Sequence, residues 1–355
     1  FQLNDAIYTF LMQKRAEAQI TKASNLPDNE ILDIAQPTLS SQVFPKKSLN
    51  YTIALLLGLL IPVGYILGRD YLNDKIVDRK EIEKITKLPI VGQVLHNNKD
   101  TQLAVADSPK SSISESFRSV RTNIEYLVKG EEKSVILVTA DMVSAGKTFI
   151  SINLASIYAM YGKKTVLLGF DLRKPKIYQD FGLSNTNGLS TYLINKHSLK
   201  DIIQPSGRVD NFDLIMAGPV PPNPAELIAS DRCKTLFDEL REQYDYIIID
   251  TPPVGLVTDA FLLMKHTDVN LFIVRQNYTH KKIFESIIKD IEDRNIPMNI
   301  LVNDIRMGGG YGYGYGYGYG YGYGYGYGYG YGYGYYTDEG KDERPGFFKR
   351  LLNKI

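Results

Sequence analysis

An uncharged apolar stretch, Tyr51–Gly68, places the strongest limit on what this chain can fold into. As an α-helix it would be roughly 27 Å long at about 1.5 Å per residue, close to the hydrocarbon thickness of a bilayer. The stretch is apolar on every face and contains both Gly and Pro62, which disfavours the alternative of a helix buried in a soluble core. An organised segment precedes it, which disfavours a signal peptide. The sequence therefore predicts a transmembrane helix over 51–68.

Basic residues are unevenly distributed around this span. Six Lys or Arg residues lie between 69 and 87, whereas only Lys46 and Lys47 closely precede the span. By the positive-inside tendency, residues 69 onward are expected in the cytoplasm and residues 1–50 outside. Within 1–50, the apolar residues of 1–24 recur at helical spacing, and the prolines of 25–50 are typical of an extended linker.

Composition excludes several classes of protein. A formal net charge of +1 provides no electrostatic basis for nucleic-acid binding. The single cysteine, Cys233, excludes a disulfide framework and most cysteine-based metal sites. Because the chain starts with Phe1, we expect a processed protein or a fragment.

Between 113 and 306 the sequence alternates short apolar runs with helical patterns. Six runs are apolar throughout, as in strands buried on both faces: Ser134–Thr139, Thr165–Phe170, Phe212–Met216, Tyr246–Ile249, Val269–Val274 and Asn299–Val302. Helical stretches lie between most of them, which predicts an α/β fold with a parallel sheet flanked by helices. Residues 97–112 are polar and predict a second linker.

A phosphate-binding pattern follows the first predicted strand. The segment 139–148 ends Ser144-Ala145-Gly146-Lys147-Thr148 and continues into a helical run that starts at Phe149. In a P-loop, backbone N–H groups and the helix N-terminus face the phosphates, the Lys reaches the β- and γ-phosphates, and the Thr hydroxyl serves Mg²⁺. Gly-Lys-Thr is also a common tripeptide, so this motif alone is not decisive.

The loop departs from the general P-loop pattern at two positions. Asp141 occupies the first Gly position, and Ser144 stands where Gly would be easiest. A positive φ at Ser144 would cost on the order of 1 kcal/mol.

Two further carboxylates follow buried strands. Asp250 ends the run Tyr246-Ile-Ile-Ile-Asp, and Asp171 follows Val166-Leu-Leu-Gly-Phe. A strand-end Asp can simply cap the next turn. Because parallel strands end at one sheet edge, however, we expect both carboxylates to lie beside the P-loop, where Mg²⁺ is bound. The three motifs together predict a site for a nucleotide and Mg²⁺.

Near the C-terminus, Tyr and Gly alternate without a break. This run holds more than half of the chain's 26 tyrosines, namely Tyr311, Tyr313, Tyr315, Tyr317, Tyr319, Tyr321, Tyr323, Tyr325, Tyr327, Tyr329, Tyr331, Tyr333, Tyr335 and Tyr336. Such a repeat predicts a low-complexity tail, and its hydroxyls suggest a substrate. As a Gly-rich coil it would span roughly 25–30 Å, enough to reach a neighbouring subunit. The alternative is an aromatic low-complexity segment that promotes association between chains.

These motifs resemble the bacterial tyrosine kinases of the polysaccharide co-polymerase family. The resemblance includes the P-loop, Gly-Phe-Asp171-Leu-Arg173, Ile-Ile-Ile-Asp250-Thr-Pro-Pro253, the tyrosine cluster, and the Glu-x-x-Arg-x-x-Arg signature at Glu115, Arg118 and Arg121. Residues 1–68 resemble the end of the chain-length-determinant module. The resemblance implies the following organisation: the end of an extracytoplasmic module and a linker over 1–50, the transmembrane helix over 51–68, a juxtamembrane segment and linker over 69–112, a P-loop kinase domain over 113–306, an autophosphorylation tail over 307–336 and a basic end over 337–355.

The resemblance also implies an activity. It implies an ATP-dependent tyrosine autokinase of the bacterial inner membrane that acts mostly between neighbouring subunits of a ring. The kinase would control polysaccharide polymerisation and export, and a cognate tyrosine phosphatase would be a partner. Lys147 would bind phosphate with Ser144–Phe149, and Thr148 and Asp250 would serve Mg²⁺. Asp171 would accept the tyrosine proton or assist the metal. The Glu115, Arg118 and Arg121 face would pair with the neighbouring subunit, although a solvated charged face is the alternative.

Two departures from the family pattern keep rival interpretations open. Ser144 replaces a usual Gly, and Gly169 replaces the first Asp of a usual Asp-x-Asp. We expect weaker metal control and a slower enzyme. The rivals are a weakened structural co-polymerase scaffold and a P-loop ATPase of the partitioning type.

Overall fold

The structure, a computed structural model, describes residues 2–24, 44–128, 133–255 and 257–306. The chain divides into two units, Phe1–Leu72 and Asn73–Ile355. The predicted Tyr-Gly tail and basic end, and most of the predicted linker over 25–50, lie outside the described residues.

The first unit contains two long helices. Helix α1 spans Gln2–Ser24, and helix α2 spans Lys47–Tyr71. Helix α2 contains the predicted span, has a mean hydropathy of 2.0 and buries none of its side chains against the protein. At about 1.5 Å per residue it is longer than a bilayer core requires. Among the described residues, it is the one helix whose length and composition suit a membrane span.

The second unit is built on an eight-stranded sheet. Its strands are β1 (Ile90–Leu95), β2 (Ser134–Ala140), β3 (Thr165–Gly169), β4 (Ile203–Pro205), β5 (Phe212–Ile215), β6 (Tyr246–Asp250), β7 (Val269–Arg275) and β8 (Asn299–Ile305). Their order across the sheet is β1-β8-β7-β2-β6-β3-β5-β4. Neighbouring strands are parallel except for the edge pair β4–β5, which is antiparallel. The α/β fold with a parallel sheet is therefore confirmed.

Helices cover both faces of this sheet. They are α3 (Arg79–Ile85), α4 (Ala104–Asp107), α5 (Ser112–Leu127), α6 (Lys147–Met160), α7 (Ile177–Phe181), α8 (Leu189–Leu193), α9 (Leu199–Ile202), α10 (Pro224–Ile228), α11 (Asp231–Gln243), α12 (Asp259–Leu263) and α13 (Lys281–Asp293). Successive residues of β2 join two separate cores, with Val135 and Leu137 in one and Ile136 and Val138 in the other. Because both faces are covered, the central strands are apolar throughout.

All six predicted strands are confirmed, but two strands were missed. Strand β1 lies at the open edge of the sheet beside β8, and β4 is a three-residue edge strand that ends in Pro205. Both are partly exposed and lack the continuous apolar run of a central strand. Their positions at the two edges of the sheet therefore explain why the sequences of β1 and β4 lack the pattern of a buried strand.

The range 69–112, predicted as a juxtamembrane segment followed by a linker over 97–112, is folded for most of its length. Helices α3 and α4 and strand β1 all lie within it. Ile76 is buried in the core, Asp74 pairs with His280 at 2.8 Å, and Lys281 pairs with Glu81 at 2.7 Å. The compact unit that contains the sheet begins at Asn73, because Ile76 and Ile82 share a core with apolar residues of α13 and because β1 pairs with β8.

Candidate functional site

The loop that connects β2 to α6 has the backbone of a phosphate cradle. Ser144 takes φ = 65° and Gly146 takes φ = 97°. Ser144 therefore carries the cost of about 1 kcal/mol that a positive φ has for a residue other than Gly. A side chain at Gly146 would also run into the amide of Asn303, so this position needs glycine for space as well as for conformation. Helix α6 begins directly after Gly146, so the backbone N–H groups of its first turn lie next to the loop.

Lys147 is the first residue of α6 and lies almost fully buried in this site. Its side chain is 8% exposed, and its Nζ lies 3.4 Å from the carbonyl oxygen of Met142. Burial lowers the pKa of Lys147, while the carboxylates of Asp250, Asp171 and Asp141 act in the opposite direction. A phosphate group placed here would supply the anionic partner that a buried ammonium requires.

Asp250 ends β6 and is the acceptor at the centre of the site. The hydroxyl of Thr148 donates to it at 2.8 Å, and the hydroxyl of Ser151 donates at 3.3 Å. Burial raises the pKa of Asp250 to about 6, although the hydrogen bond from Thr148 and the charge of Lys147 lower it. A buried carboxylate next to a Thr hydroxyl is an oxygen donor set that fits Mg²⁺. The residues present are therefore suited to hold the ion.

Asp171 lies in the turn that follows β3. Its Oδ1 accepts from the backbone N–H groups of Lys174 at 2.9 Å and of Arg173 at 3.3 Å. Two residues earlier, Gly169 pairs in register with Asp250 on the neighbouring strand. A carboxylate at position 169 would therefore lie beside Asp250, which accepts the hydrogen bond from Thr148.

One cleft joins the predicted residues. It has a volume of about 590 Å³, and its wall includes Ser144, Gly146, Lys147, Thr148, Phe149, Asp171 and Asp250. Phe149 also packs edge-on against Phe117 of α5, 5.9 Å between ring centroids. Ala145, also in the loop, is fully buried, so only its backbone could take part in nucleotide binding.

Asp141 is a buried acid at the start of the loop. It is 2% exposed, and neither of its carboxylate oxygens has a well-aligned hydrogen-bond partner in the described part of the chain. Burial raises the pKa of Asp141, while the backbone N–H groups of Met142 and Asp141 and the charge of Lys147 lower it. Such an unsatisfied group is costly in the interior, and functional sites are where it is tolerated.

Comparison with known proteins agrees with this geometry. Residues 133–294 match the family described as "AAA domain", and residues 1–71 match the family described as "G-rich domain on putative tyrosine kinase". The "Putative tyrosine-protein kinase CapB" of Staphylococcus aureus is 46% identical over 158 residues, which are 44% of this chain and 69% of CapB.

The chain belongs to the bacterial tyrosine kinase family.

Other members of this family agree in sequence and in structure. The "Tyrosine-protein kinase etk" of Escherichia coli K12 is 32% identical over 291 residues, which are 76% of this chain and 40% of that protein. The chain thus spans less than half the length of this relative. The crystal structure of the chimerical protein CapA2B2 superposes with a TM-score of 0.60 at 35% identity, over 65% of this chain and all of that one.

The family's Glu-x-x-Arg-x-x-Arg residues lie on α5, as predicted, but each has a partner within the chain. Arg118 donates to Glu115 at 2.7 Å and to the carbonyl oxygen of Pro109 at 2.6 Å. The guanidinium of Arg121 lies 4.0 Å from the ring centroid of Tyr161. Pairing with a neighbouring subunit would therefore share or exchange these contacts.

Several residues that build this site were not predicted from the sequence. Ser151 was not predicted, although it lies one helical turn after Lys147 and so faces Asp250. Arg275 and Asn303 were also missed; each stands at or near the C-terminal end of a buried strand, β7 and β8. The strand-end rule that identified Asp250 places both at the same edge of the sheet, but it does not show that they contact the phosphate loop.

Proposed function

We propose that this protein is a membrane-anchored tyrosine autokinase that transfers the γ-phosphate of ATP to tyrosines of its own C-terminal tail. The observation that carries the proposal is the contact between Thr148 and Asp250 at 2.8 Å beside the buried Lys147. This arrangement can bind a nucleoside triphosphate and place a divalent cation next to its phosphates. Membership in the tyrosine kinase family supports the choice of a tyrosine hydroxyl as acceptor.

The transfer is a direct displacement. The tyrosine oxygen forms a bond to the γ-phosphorus while the bond from that phosphorus to the bridging oxygen breaks, and ADP leaves with the electron pair. In our proposal the hydroxyl proton passes to Asp171, whose turn lies on the cleft wall. Lys147 neutralises charge on the phosphates, and Mg²⁺ held at Thr148 and Asp250 would neutralise the rest.

The test compares phosphotyrosine formation by the purified full-length chain with that of a Lys147→Met variant, both with ATP and Mg²⁺. Lys196→Met is the matched control, since Lys196 is an exposed lysine outside the cleft. We expect phosphotyrosine in the parent and control and none in Lys147→Met. A parent that binds ATP without forming phosphotyrosine would favour the scaffold alternative, and ATP hydrolysis without phosphotyrosine would favour the partitioning-type ATPase.

We further propose that transfer occurs between subunits of a ring and that it regulates the polysaccharide machinery. Each phosphotyrosine adds about −1.5 to −2 charges, so a phosphorylated tail would repel its neighbours and loosen the ring. Mixing an active chain truncated after 306 with full-length Lys147→Met tests the first part. Phosphotyrosine on the inactive chain supports transfer between subunits, and its absence contradicts it. For the second part, a fully phosphorylated sample that assembles as well as an unphosphorylated one would exclude the switch.

The proposed location is the bacterial inner membrane, with α1 outside and the kinase unit in the cytoplasm. Charge asymmetry around α2 supports this orientation. In a Cys233→Ser background, an impermeant maleimide added to spheroplasts should label Gln13→Cys and leave Lys196→Cys unlabelled. The reverse pattern would overturn the proposed topology.

A further inference from the structure

Three successive carbonyl groups of the phosphate loop are held from outside the loop. The oxygens of residues Val143–Ala145 accept, in order, from Tyr278 Oη at 3.0 Å, Arg275 Nη1 at 2.7 Å and Asn303 Nδ2 at 3.0 Å. All three donors come from the carboxyl ends of β7 and β8 or the turn after β7. We call these three donors the loop clasp.

Residues of the loop clasp are themselves held by further contacts. Arg275 Nε donates to Asp304 at 2.9 Å, and Asp304 is also bonded to His96 at the end of β1. The guanidinium of Arg275 lies 5.1 Å from the ring centroid of Tyr278, so the two donors also support each other. Asn303 is 5% exposed and thus held by the surrounding protein. These second contacts restrict the donors and so help to fix the carbonyl groups that they hold.

The geometry of the peptide group gives this contact a consequence for phosphate binding. In a planar trans peptide the C=O and the following N–H point in opposite directions. Drawing the carbonyls of Val143–Ala145 toward the clasp therefore turns the N–H groups of Ser144, Ala145 and Gly146 away from it. In a P-loop these N–H groups are the donors that meet the phosphates.

Ser144 makes such support necessary. Its φ of 65° is one that glycine adopts freely and serine does not. Without external support, the loop would relax toward a conformation in which Ser144 leaves the left-handed region. The strongest clasp contact, from the charged Arg275, is made to the carbonyl of this same residue.

We propose that Arg275, Tyr278 and Asn303 are positioning residues that hold the phosphate loop open for nucleotide, in compensation for serine at position 144. The proposal rests on the nucleotide site of the proposed function. It deepens that function by assigning residues outside the sequence motifs to it.

The experiment measures the affinity of the full-length chain in detergent for a fluorescent ATP analogue, together with thermal unfolding without nucleotide. We expect Arg275→Ala to weaken binding about tenfold and Tyr278→Phe to weaken it about threefold. Arg208→Ala is the matched control, since Arg208 is an exposed arginine away from the loop. It should bind as the parent does.

A second background distinguishes positioning from general destabilisation. In Ser144→Gly the loop adopts its conformation without strain, so Arg275→Ala should weaken binding there by much less than in the parent. Arg275→Lys, which keeps the charge, should retain part of the affinity. If Arg275→Ala does not fold, Tyr278→Phe and Arg275→Lys decide the question.

Two results would overturn the proposal: unchanged affinity in folded Arg275→Ala or Tyr278→Phe, or an equal loss in the Ser144→Gly background. The readout is nucleotide affinity and not phosphotyrosine. If the parent binds the analogue without phosphorylating itself, the proposed kinase activity is refuted. The role of the loop clasp in nucleotide binding can still be tested by the same affinity measurements. A parent that does not bind the analogue refutes both.

Discussion

Arg173 donates two hydrogen bonds, of 2.8 and 3.0 Å, to the two carboxylate oxygens of Asp259. The side chain of Asp259 is fully buried, whereas that of Arg173 is 42% exposed. Arg173 lies two residues after Asp171, and Asp259 opens helix α12. The ion pair therefore ties the turn that bears Asp171 to the start of helix α12.

Replacing Arg173 should cost more stability than a surface ion pair does. Arg173→Ala would leave the Asp259 carboxylate buried without its partner, which we expect to lower the free energy of unfolding by about 2–3 kcal/mol. Chemical denaturation of the full-length chain measures this. Arg79→Ala breaks an exposed pair with Glu83 and should change stability by less than about 1 kcal/mol. Equal effects of the two variants would show that Asp259 does not depend on Arg173.

The hydroxyl of Thr148 should set the Mg²⁺ requirement. Thr148→Ala removes the group that donates to Asp250, so we expect the Mg²⁺ concentration for half-maximal autophosphorylation to rise about tenfold or more. Thr148→Ser keeps the hydroxyl and should stay close to the parent. A Mg²⁺ titration that is the same for Ala and Ser would contradict the role assigned to Thr148.

Restoring an acid at position 169 should strengthen metal binding. A Cβ at Gly169 would make ordinary contacts, 3.4 Å from Ile177 Cδ1 and 3.5 Å from the backbone nitrogen of Ala217, so the backbone here has room for a residue other than glycine. In Gly169→Asp the new carboxylate would stand beside Asp250, and the two would repel each other without a cation. We expect a lower melting temperature without Mg²⁺, recovery with Mg²⁺ and ADP, and faster autophosphorylation. Gly169→Asn is the uncharged control, and no advantage of Asp over Asn would refute the expectation.

Cys233 should be inert in the folded protein. It is fully buried in α11, and burial raises the pKa of its thiol to about 12. Since the thiolate is the reactive form, an aromatic disulfide reagent at pH 8 should react slowly until the kinase unit unfolds. Because the chain has one cysteine, the reaction reports on this site alone. Rapid reaction in native buffer, at the rate seen in urea, would contradict the packing of α11.

The sequence predicted those parts of the molecule that depend on local pattern. Central strands such as β6 are apolar throughout because helices cover both faces, and the Gly-Lys-Thr motif follows such a strand. Strand β1 was missed because it is an edge strand with Gly92 and Gln93 in its interior. No local pattern marks it as part of the sheet.

The loop clasp was out of reach for a different reason. Its contacts join residues that are more than a hundred positions apart, and Asn303 lies 158 positions after Ala145. Only the strand order, which places β7 next to β2 and β8 next to β7, brings these residues to the loop. The positive φ of Ser144 could be anticipated from the P-loop pattern, but the donors that support it could not.

The distance of Asn303 from the loop has a consequence for biosynthesis. The ribosome makes the phosphate loop early in the kinase unit, but the last donor that shapes it is added only with β8. The first tyrosine of the Tyr-Gly run, Tyr311, follows eight positions later in the sequence. Since domains fold as units, a nascent chain lacks a finished nucleotide site until nearly the whole unit has been made. Nucleotide binding would then mark a completed domain at about the time its tyrosines leave the ribosome.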